Sequence, residues 1–256
     1  MDFAVIGGTG FYHLPDEPAA ETLQVATPYG VVEVDRTCLG GKEAAFLARH
    51  GRQHGVPPHR VNYRANIRAV RELGVKNILA TAAVGSLSKD VPPGSLVALS
   101  QFLDFTRGRP ATFFDGAQEE VVHVDMTDPY CAHLRAEMQA AAKALQEQLL
   151  PEGTYVCVEG PRFETAAEIR MFRKLGGDVV GMTSVPEVTL AREVGICYAA
   201  LAIVTNWAAG ISREPLKHEE VSDFMRRHAH RLRALFEEVV RTHQEIACSC
   251  RSCHAD

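Results

Sequence analysis

Residues 159–165 read EGPRFET and are the most informative stretch of this sequence. The Gly-Pro pair is typical of a turn, here one that joins a strand to a helix. Phe163 can lie against the face of a flat heterocycle. An ionised Glu164 is a hydrogen-bond acceptor and not a donor, so it can accept hydrogen bonds from N–H groups on the edge of such a ring. The stretch indicates a strand-turn-helix unit with a site for a flat ligand such as a purine. A turn with a helix-capping carboxylate is the alternative.

Two later segments stand in the same relation to an apolar run. Residues 181–183 (GMT) and residues 205–210 (TNWAAG) each close a strand-like run. In open α/β sheets, ligands bind beyond the carboxyl ends of the strands. The three segments therefore predict one site at one edge of a sheet.

The rest of the chain alternates between short apolar runs and amphipathic stretches. Predicted strands include residues 3–6, 31–34, 44–48 and 76–82, and predicted helices cover residues 62–73, 129–150, 165–175, 185–194 and 218–246. Residues 101–125, with their Gly and Pro, are predicted to be irregular. The alternation predicts an α/β fold with a largely parallel or mixed central sheet.

Composition excludes some functions. The 256 residues are 46% hydrophobic and carry a formal charge of -5, so the basic surface that nucleic-acid binding needs is not expected. No apolar run reaches membrane-spanning length and no leader-like start is seen, so we expect a cytoplasmic protein without membrane contact. Residues 1–246 are predicted to form one domain, and residues 247–256 a Cys-rich tail.

A glycine-rich turn, residues 7–10 (GGTG), follows the first predicted strand. In a dinucleotide site, a further glycine would follow three residues later and an acid about 20 residues on. That glycine is missing, so a turn that offers backbone N–H groups and the Thr9 hydroxyl to free phosphate fits better. A glycine turn without a ligand and an NAD-binding oxidoreductase are the alternatives.

Arg49 and His50 close the predicted strand 44–48, and a loop with Gly and Pro follows. The planar guanidinium fork of Arg suits two phosphate oxygens, and His can add a donor. The pair predicts a phosphate site at a strand end, although Arg-His pairs also occur on surfaces without a ligand.

In order, these motifs resemble the trimeric purine nucleoside phosphorylase family, which also contains methylthioadenosine and methylthioinosine phosphorylases. The resemblance covers nearly the whole chain. It implies a single-domain nucleoside phosphorylase fold, with a central mixed twisted sheet flanked by helices, assembled as a homotrimer or a dimer of trimers. The motifs that carry it are VIGGTG (5–10), RHGRQH (49–54), NYRAN (62–66), GPRFET (160–165), GMT (181–183), PE (186–187) and TN (205–206).

The resemblance also implies roles for individual residues. Those that match phosphate-binding positions are Thr9, Arg49, His50, Ala82, Ala83 and Thr183, with Ala82 standing where the family often has a hydroxyl residue. Those that match substrate-binding positions are Phe163, Glu164, Met182, Asn206, Trp207 and Ala208, together with His123, which closes the pocket of a neighbouring subunit. No metal or cofactor is expected, and inorganic phosphate is a co-substrate.

The implied reaction is phosphorolysis, in which phosphate attacks the anomeric carbon of a nucleoside while the purine leaves. Asn206 is the candidate that stabilises charge on the departing purine. Glu164 favours a base with an N1–H group, and the Asn206 amide favours O6 and N7 as acceptors. Both catalytic candidates therefore indicate inosine or guanosine, cleaved to free purine and ribose 1-phosphate in purine salvage. The 5′ side leaves methylthioinosine or methylthioadenosine as alternatives.

Seven cysteines are present, and three of them, Cys248, Cys250 and Cys253, lie close to the end of the sequence. Residues 250–254 (CRSCH) match the spacing for haem attachment, which needs export and is not expected here. No zinc spacing is seen within the core. Together with Cys131 and Cys197, the Cys-Ser-Cys element resembles the disulfide-bearing family members of heat-loving organisms. Free thiols are the equal alternative, and a metal site of these three C-terminal thiols and His254 is a further one.

Overall fold

The computed structural model describes residues 1–11, 21–116, 121–212 and 218–254. These residues form one sheet of eleven strands and five α-helices. The strands are β1 (Phe3–Gly7), β2 (Glu21–Thr27), β3 (Gly30–Leu39), β4 (Lys42–Ala48), β5 (Asn77–Ser86), β6 (Leu96–Ala98), β7 (Gln101–Phe105), β8 (Leu149–Leu150), β9 (Thr154–Val158), β10 (Val179–Gly181) and β11 (Cys197–Trp207). The helices are α1 (Tyr63–Glu72), α2 (Ala132–Ala144), α3 (Ala166–Lys174), α4 (Ser184–Glu193) and α5 (His218–Thr242), and 3-10 turns span Pro58–Arg60 and Ser249–His254.

The sheet is mixed. Its strands run in the order β2-β3-β4-β1-β5-β10-β9-β7, while β11 pairs with β5 and extends the sheet to β6 and β8. β1 is parallel to β4 and β5, whereas β10 is antiparallel to β5. The α/β fold with a central mixed sheet, predicted from the sequence, is confirmed.

Helices cover both faces of the sheet because the central strands are apolar on both sides. In β1, Ala4 and Ile6 belong to one buried cluster, which includes residues of α1 and α4. Phe3 and Val5 belong to a second cluster, which includes residues of α2 and α5. Since neighbouring side chains of a strand point to opposite faces, the result is a three-layer arrangement of helix, sheet and helix.

β5 carries the feature that positions the site. One edge of β5 pairs along its length with β11. On the other edge, β1 pairs with residues 77–80 and β10 pairs with residues 85 and 86. Because β1 is parallel and β10 antiparallel to β5, their carboxyl ends run toward each other. In the described part of the chain, neither strand pairs with residues 81–84, so a gap opens where α/β sheets commonly bind ligands.

β11 contains a β-bulge beside this gap. Val204 pairs with Val84 and Asn206 pairs with Gly85, so Thr205 is an extra residue in the ladder. Regular strands send alternate side chains to opposite faces, and an extra residue breaks that alternation. Consequently Thr205 and Asn206, although consecutive, both reach the same cavity.

Several predicted boundaries were wrong. The helix predicted over residues 129–150 is shorter, because Gln146 has a φ of 56° after α2, a left-handed conformation that ends helices. Residues 149 and 150 form β8 instead. The helix predicted over residues 218–246 ends at Thr242. Residues 101–125 are not wholly irregular, since β7 forms their start and pairs with β9.

The segment that contains the C-terminal cysteines packs against the domain. Cys250 is 4% exposed and belongs to the second buried cluster. The side chain of Cys253 lies outside the described residues. Over the described ranges, no helix combines the length and the apolar character that a bilayer span requires.

Candidate active site

A cavity of about 320 Å³ lies at the gap between β1 and β10. This volume is within the range of small-molecule sites. Its walls come from segments that are far apart in the sequence but meet at the carboxyl ends of these strands. Of the residues predicted for the site, the cavity is lined by Thr9, Arg49, His50, Ala83, Phe163, Glu164, Met182, Thr183, Asn206 and Ala208.

Three predicted residues do not line this cavity. Ala82 packs in the first buried cluster, because Ala83 occupies the cavity side of the strand. Trp207 is half-buried at the end of β11 but is not part of the lining. His123 is exposed in a segment without strand structure and does not reach the cavity of its own chain.

Arg49 is buried at one end of the cavity. Its Nη1 donates to the carbonyl oxygen of Thr81 at 3.0 Å, within the stretch of β5 that β1 leaves unpaired. Its Nε and Nη2 donate to the two carboxylate oxygens of Glu187 at 2.7 and 2.6 Å. A guanidinium has five N–H groups, so at most two remain for an anion. The fork predicted to hold phosphate is therefore turned toward Glu187.

Glu187 is a site residue to which sequence reasoning gave no role of its own. It is fully buried, and the Tyr198 hydroxyl also donates to its carboxylate at 2.7 Å. Burial by itself would lower the pKa of Arg49, but the Glu187 carboxylate raises that pKa above its ordinary value. The pair keeps the guanidinium charged and fixed. It also offsets much of the positive charge that a bound anion would meet.

The glycine-rich turn approaches this guanidinium closely. A Cβ atom on Gly8 would lie 2.8 Å from Nη1 of Arg49, so a larger residue would displace the guanidinium from the position in which Glu187 holds it. The backbone N–H of Gly8 donates to the Thr81 hydroxyl oxygen at 2.9 Å. Because the Gly8 N–H is already engaged, it is not free to bind an anion. Thr9, which lines the cavity, is the residue of the turn that can make the predicted anion contact.

The loop after β4 orients His50. Nδ1 of His50 lies 2.8 Å from the carbonyl oxygen of Val56. A carbonyl oxygen only accepts hydrogen bonds, so Nδ1 carries the proton. The His50 ring also lies 4.7 Å from the ring of His54, another lining residue. The loop therefore fixes the tautomer and the orientation of the predicted phosphate contact.

Glu164 lies at the other end of the cavity, in the turn between β9 and α3. The next residue, Thr165, is the N-cap of α3 and forms a capping box with Glu168, which fixes the backbone of the turn. Glu164 is only 9% exposed. Burial raises the pKa of Glu164 above its ordinary value, while its own backbone N–H acts on that pKa in the opposite direction. Phe163 lines the cavity beside it.

The amide of Asn206 has a defined orientation. Its Nδ2 donates to the carbonyl oxygen of Trp207 at 2.9 Å, and its Oδ1 accepts from the Thr205 hydroxyl at 2.8 Å. Because a carbonyl oxygen cannot donate, the Trp207 contact identifies the nitrogen side of the amide. The second Nδ2 hydrogen is the one that a ligand can receive.

The two ends of the cavity are separated along β5. Arg49 contacts Thr81, and Asn206 pairs with Gly85 across the ladder. A rise of about 3.3 Å per residue places these positions about 13 Å apart. The cavity thus offers a cation and a glycine turn at one end, and an aromatic ring with a carboxylate and an amide at the other. The cavity therefore suits an anion at the first end and a ligand with a flat, hydrogen-bonding ring at the second.

Arg109 is a second residue that sequence reasoning missed. It comes from the segment predicted to be irregular, yet it is 9% exposed. Its guanidinium donates to the backbone carbonyl oxygens of Met182, Val185, Val158 and Glu159 at 2.7 to 3.2 Å. Val158 and Glu159 lie at the end of β9, Met182 follows β10, and Val185 lies at the start of α4. Arg109 therefore joins two of the segments that line the cavity.

The chain belongs to the phosphorylase superfamily, whose family model matches residues 2–241. It is 53% identical over 229 residues to the 6-oxopurine nucleoside phosphorylase of Pyrococcus furiosus, with 88% of this chain and 86% of that protein covered. It is 52% identical over 225 residues to a probable S-methyl-5′-thioinosine phosphorylase of Methanopyrus kandleri, with 88% and 86% covered.

A solved structure gives the same picture. The methylthioadenosine phosphorylase of Schistosoma mansoni in complex with adenine superposes with a TM-score of 0.87 at 34% identity, over 93% of this chain and 90% of that one. The family and the type of enzyme predicted from the sequence, a nucleoside phosphorylase, are confirmed. This membership decides against the NAD-binding oxidoreductase.

Proposed function

We propose that the enzyme cleaves 6-oxopurine nucleosides with phosphate, giving the free purine and ribose 1-phosphate. The observation that carries this proposal is the pair formed by Glu164 and Asn206 at one end of the cavity. The Glu164 carboxylate accepts hydrogen bonds, and the oriented Asn206 amide presents a donor. Inosine and guanosine have an N1–H donor and an O6 acceptor, which complement these groups. Adenine has a bare N1, which would face the carboxylate as a second acceptor.

The other end of the cavity supports the position of phosphate. Thr9, Arg49 and Thr183 line that end, and an anion held there would lie on the sugar side of a base bound at Glu164. Such an arrangement holds the nucleophile in line with the breaking bond. As the purine leaves, charge grows on the ring, and the Asn206 N–H donor strengthens its hydrogen bond to it. Neither step draws on a metal or a cofactor, and it stays a prediction that phosphorolysis requires neither.

The group at the 5′ position of the substrate, hydroxyl or methylthio, distinguishes the proposed activity from that of a methylthioinosine phosphorylase. Relatives of comparable identity are named for 6-oxopurine nucleosides and for S-methyl-5′-thioinosine. Both substrates carry the same 6-oxopurine base, so Glu164 and Asn206 do not separate them. S-methyl-5′-thioadenosine carries the 6-amino base and is disfavoured by the same two residues.

A substrate panel tests the proposal. Inosine, guanosine, adenosine, methylthioinosine and methylthioadenosine are each incubated with enzyme, with and without phosphate, and base release is measured. We expect phosphate-dependent release from inosine and guanosine at rates far above those from adenosine and methylthioadenosine. Faster release from methylthioinosine than from inosine would select the thioinosine alternative. A preference for methylthioadenosine over every 6-oxopurine substrate would contradict the proposal.

We also propose a homotrimer, or a dimer of trimers, in which His123 closes the nucleoside pocket of a neighbouring subunit. His123 is exposed and lies outside the cavity of its own chain, as a shared residue would be. His123→Ala should raise the KM for the nucleoside and leave that for phosphate nearly unchanged. Full activity of a monomer in sedimentation at the assay concentration would exclude a shared site. The cytoplasmic location also stays a prediction, which cell fractionation tests.

A further inference from the structure

Four cysteine side chains meet outside the cavity, on the face of the sheet that α2 and α5 cover. The Sγ atoms of Cys131, Cys197, Cys248 and Cys250 all lie within 4.8 Å of one another. We call these four residues the thiol cluster. Three of them are buried and Cys248 is half-buried, and all four are free thiols. The sequence predicted disulfides or free thiols here, or a metal site of the three C-terminal thiols and one His, but not that four sulfurs including Cys131 and Cys197 would meet at one point.

The separations match a tetrahedral metal site. A zinc ion bound to four thiolates has Zn–S distances of about 2.3 Å, which places neighbouring sulfurs about 3.8 Å apart. The Sγ atoms of Cys131 and Cys248 are 3.7 Å apart. A disulfide requires about 2.05 Å, which is shorter than this separation, so these two sulfurs are not bonded to each other in the structure. The remaining pairs, within 4.8 Å, need only a small inward shift to enclose the ion.

The backbone holds two of the four cysteines rigidly. The N–H of Cys131 donates to the carbonyl oxygen of Tyr198 at 2.8 Å, and the N–H of Cys197 donates to that of Lys76 at 3.0 Å. Cys131 is also the N-cap of α2, where its side chain makes no capping hydrogen bond and the sulfur stays available to a metal ion. The two backbone hydrogen bonds hold these cysteines in place, as outer hydrogen bonds do in metal sites, and the positive end of the helix dipole favours a thiolate.

Two cations lie beside the other sulfurs. Four thiolates around a divalent ion carry a net charge of about -2, which is unfavourable in a buried place unless it is offset. The Arg251 guanidinium, which donates to Glu245 and Asn77 at 2.7 and 3.1 Å, lies close enough to act electrostatically on Cys197. Arg192, which is 7% exposed, lies close enough to act electrostatically on Cys250. The surroundings of the thiol cluster therefore suit an anionic metal complex better than four neutral thiols.

We infer that the thiol cluster binds one zinc ion, which fastens the C-terminal segment to β11 and to the start of α2. Four thiolates fill every position of a tetrahedral ion, as in structural zinc sites. Zinc binding releases the thiol protons to solvent, since the ligands must be deprotonated. The site leaves no open position for a substrate, so it stabilises the fold and takes no part in phosphorolysis.

The metal content of purified protein tests this inference. Wild type and the variants Cys131→Ser, Cys248→Ser and Cys38→Ser are produced with zinc in the medium and purified under reducing conditions without chelator. Cys38 is exposed and outside the thiol cluster, so Cys38→Ser is the matched control. We expect one zinc ion per chain in wild type and in the control, and loss of zinc in the other two variants.

Two measurements on wild type keep the test decisive if a cluster variant misfolds. Cobalt in place of zinc should give the visible absorption of a tetrahedral thiolate complex. Chelator should release the zinc and lower the melting temperature, while phosphorolysis at moderate temperature stays unchanged. Wild type that retains no zinc would overturn the inference. Unfolded, unreduced protein with four of its seven thiols missing would identify disulfides instead, and all seven titrating without any bound metal would identify plain thiols.

Discussion

Replacing Glu164 with Gln changes hydrogen bonding at the base end of the cavity while conserving shape. The Glu164 carboxylate lies near its own backbone N–H, which acts on the pKa of that group against the larger effect of burial. A Gln at this position can direct its carbonyl toward that N–H and its NH₂ toward the ligand. That NH₂ would oppose the N1–H of inosine, donor against donor, but would match the bare N1 of adenine.

The size of the effect follows from the burial of the site. Glu164 is 9% exposed, so solvent can do little to replace a lost hydrogen bond. A hydrogen bond to a charged group contributes about 1.5–3 kcal/mol, which corresponds to a factor of about 10 to 150. We expect kcat/KM for inosine to fall by that factor, and the preference for inosine over adenosine to fall at least as much.

The assay is steady-state phosphorolysis of inosine and adenosine at saturating phosphate. Glu168→Gln is the matched control, because Glu168 lies in the first turn of α3, Gln also supports a capping box, and Glu168 does not line the cavity. The control loses an exposed ion pair with Arg162, which contributes little, and a charge that helps to raise the pKa of Glu164. A correctly folded Glu164→Gln enzyme with the wild-type ratio of inosine to adenosine cleavage would refute the assignment of Glu164 to the base.

Three further outcomes are expected. Arg49→Ala leaves the Glu187 carboxylate buried without its cation, so the free energy of unfolding should fall by about 3–5 kcal/mol in denaturant titration; an unchanged midpoint would show that the pair is not structural. Arg109→Met leaves several backbone carbonyls unsatisfied, at about 1–3 kcal/mol each, so both the melting temperature and kcat/KM should fall, and a change in neither would remove Arg109 from its role. Because burial raises the pKa of Glu164 and the ionised carboxylate accepts N1–H more strongly than the protonated acid, kcat/KM for inosine should decline as pH falls through a value above 4.5; persistence of that acid limb in Glu164→Gln would assign it to another group.

Local patterns in the sequence were sufficient to predict the fold class and most of the residues that line the cavity. The apolar runs that precede Thr9, Arg49 and Thr183 are strands in the structure, and these residues meet where the strands end. Ala82 shows the limit of motif reasoning. A motif places two neighbouring alanines together, but strand alternation sends only Ala83 to the cavity.

Long-range contacts could not be predicted in the same way. Glu187 lies 138 residues from Arg49, and nothing in the local pattern indicates that the guanidinium fork is occupied by it. Arg109 stands in a segment without helical or strand periodicity, and its role depends on carbonyls of distant turns. The thiol cluster likewise joins residues whose spacing matches no metal motif, because the fold and not the sequence interval brings them together.

The bulge in β11 has a consequence for how selectivity can change. A regular strand presents a side chain to one face about every 6.6 Å, whereas Thr205 and Asn206 reach the same cavity from adjacent positions. Base recognition is therefore encoded partly in chain length as well as in residue type. Removing one residue from this strand would give an unbroken ladder with β5, yet it would take away the hydroxyl that holds the Asn206 amide in place. A regular ladder between β11 and β5 is thus incompatible with the arrangement that orients the Asn206 amide. Substitutions keep the chain length constant, so a set of substitutions would not reveal this conflict, whereas a deletion would.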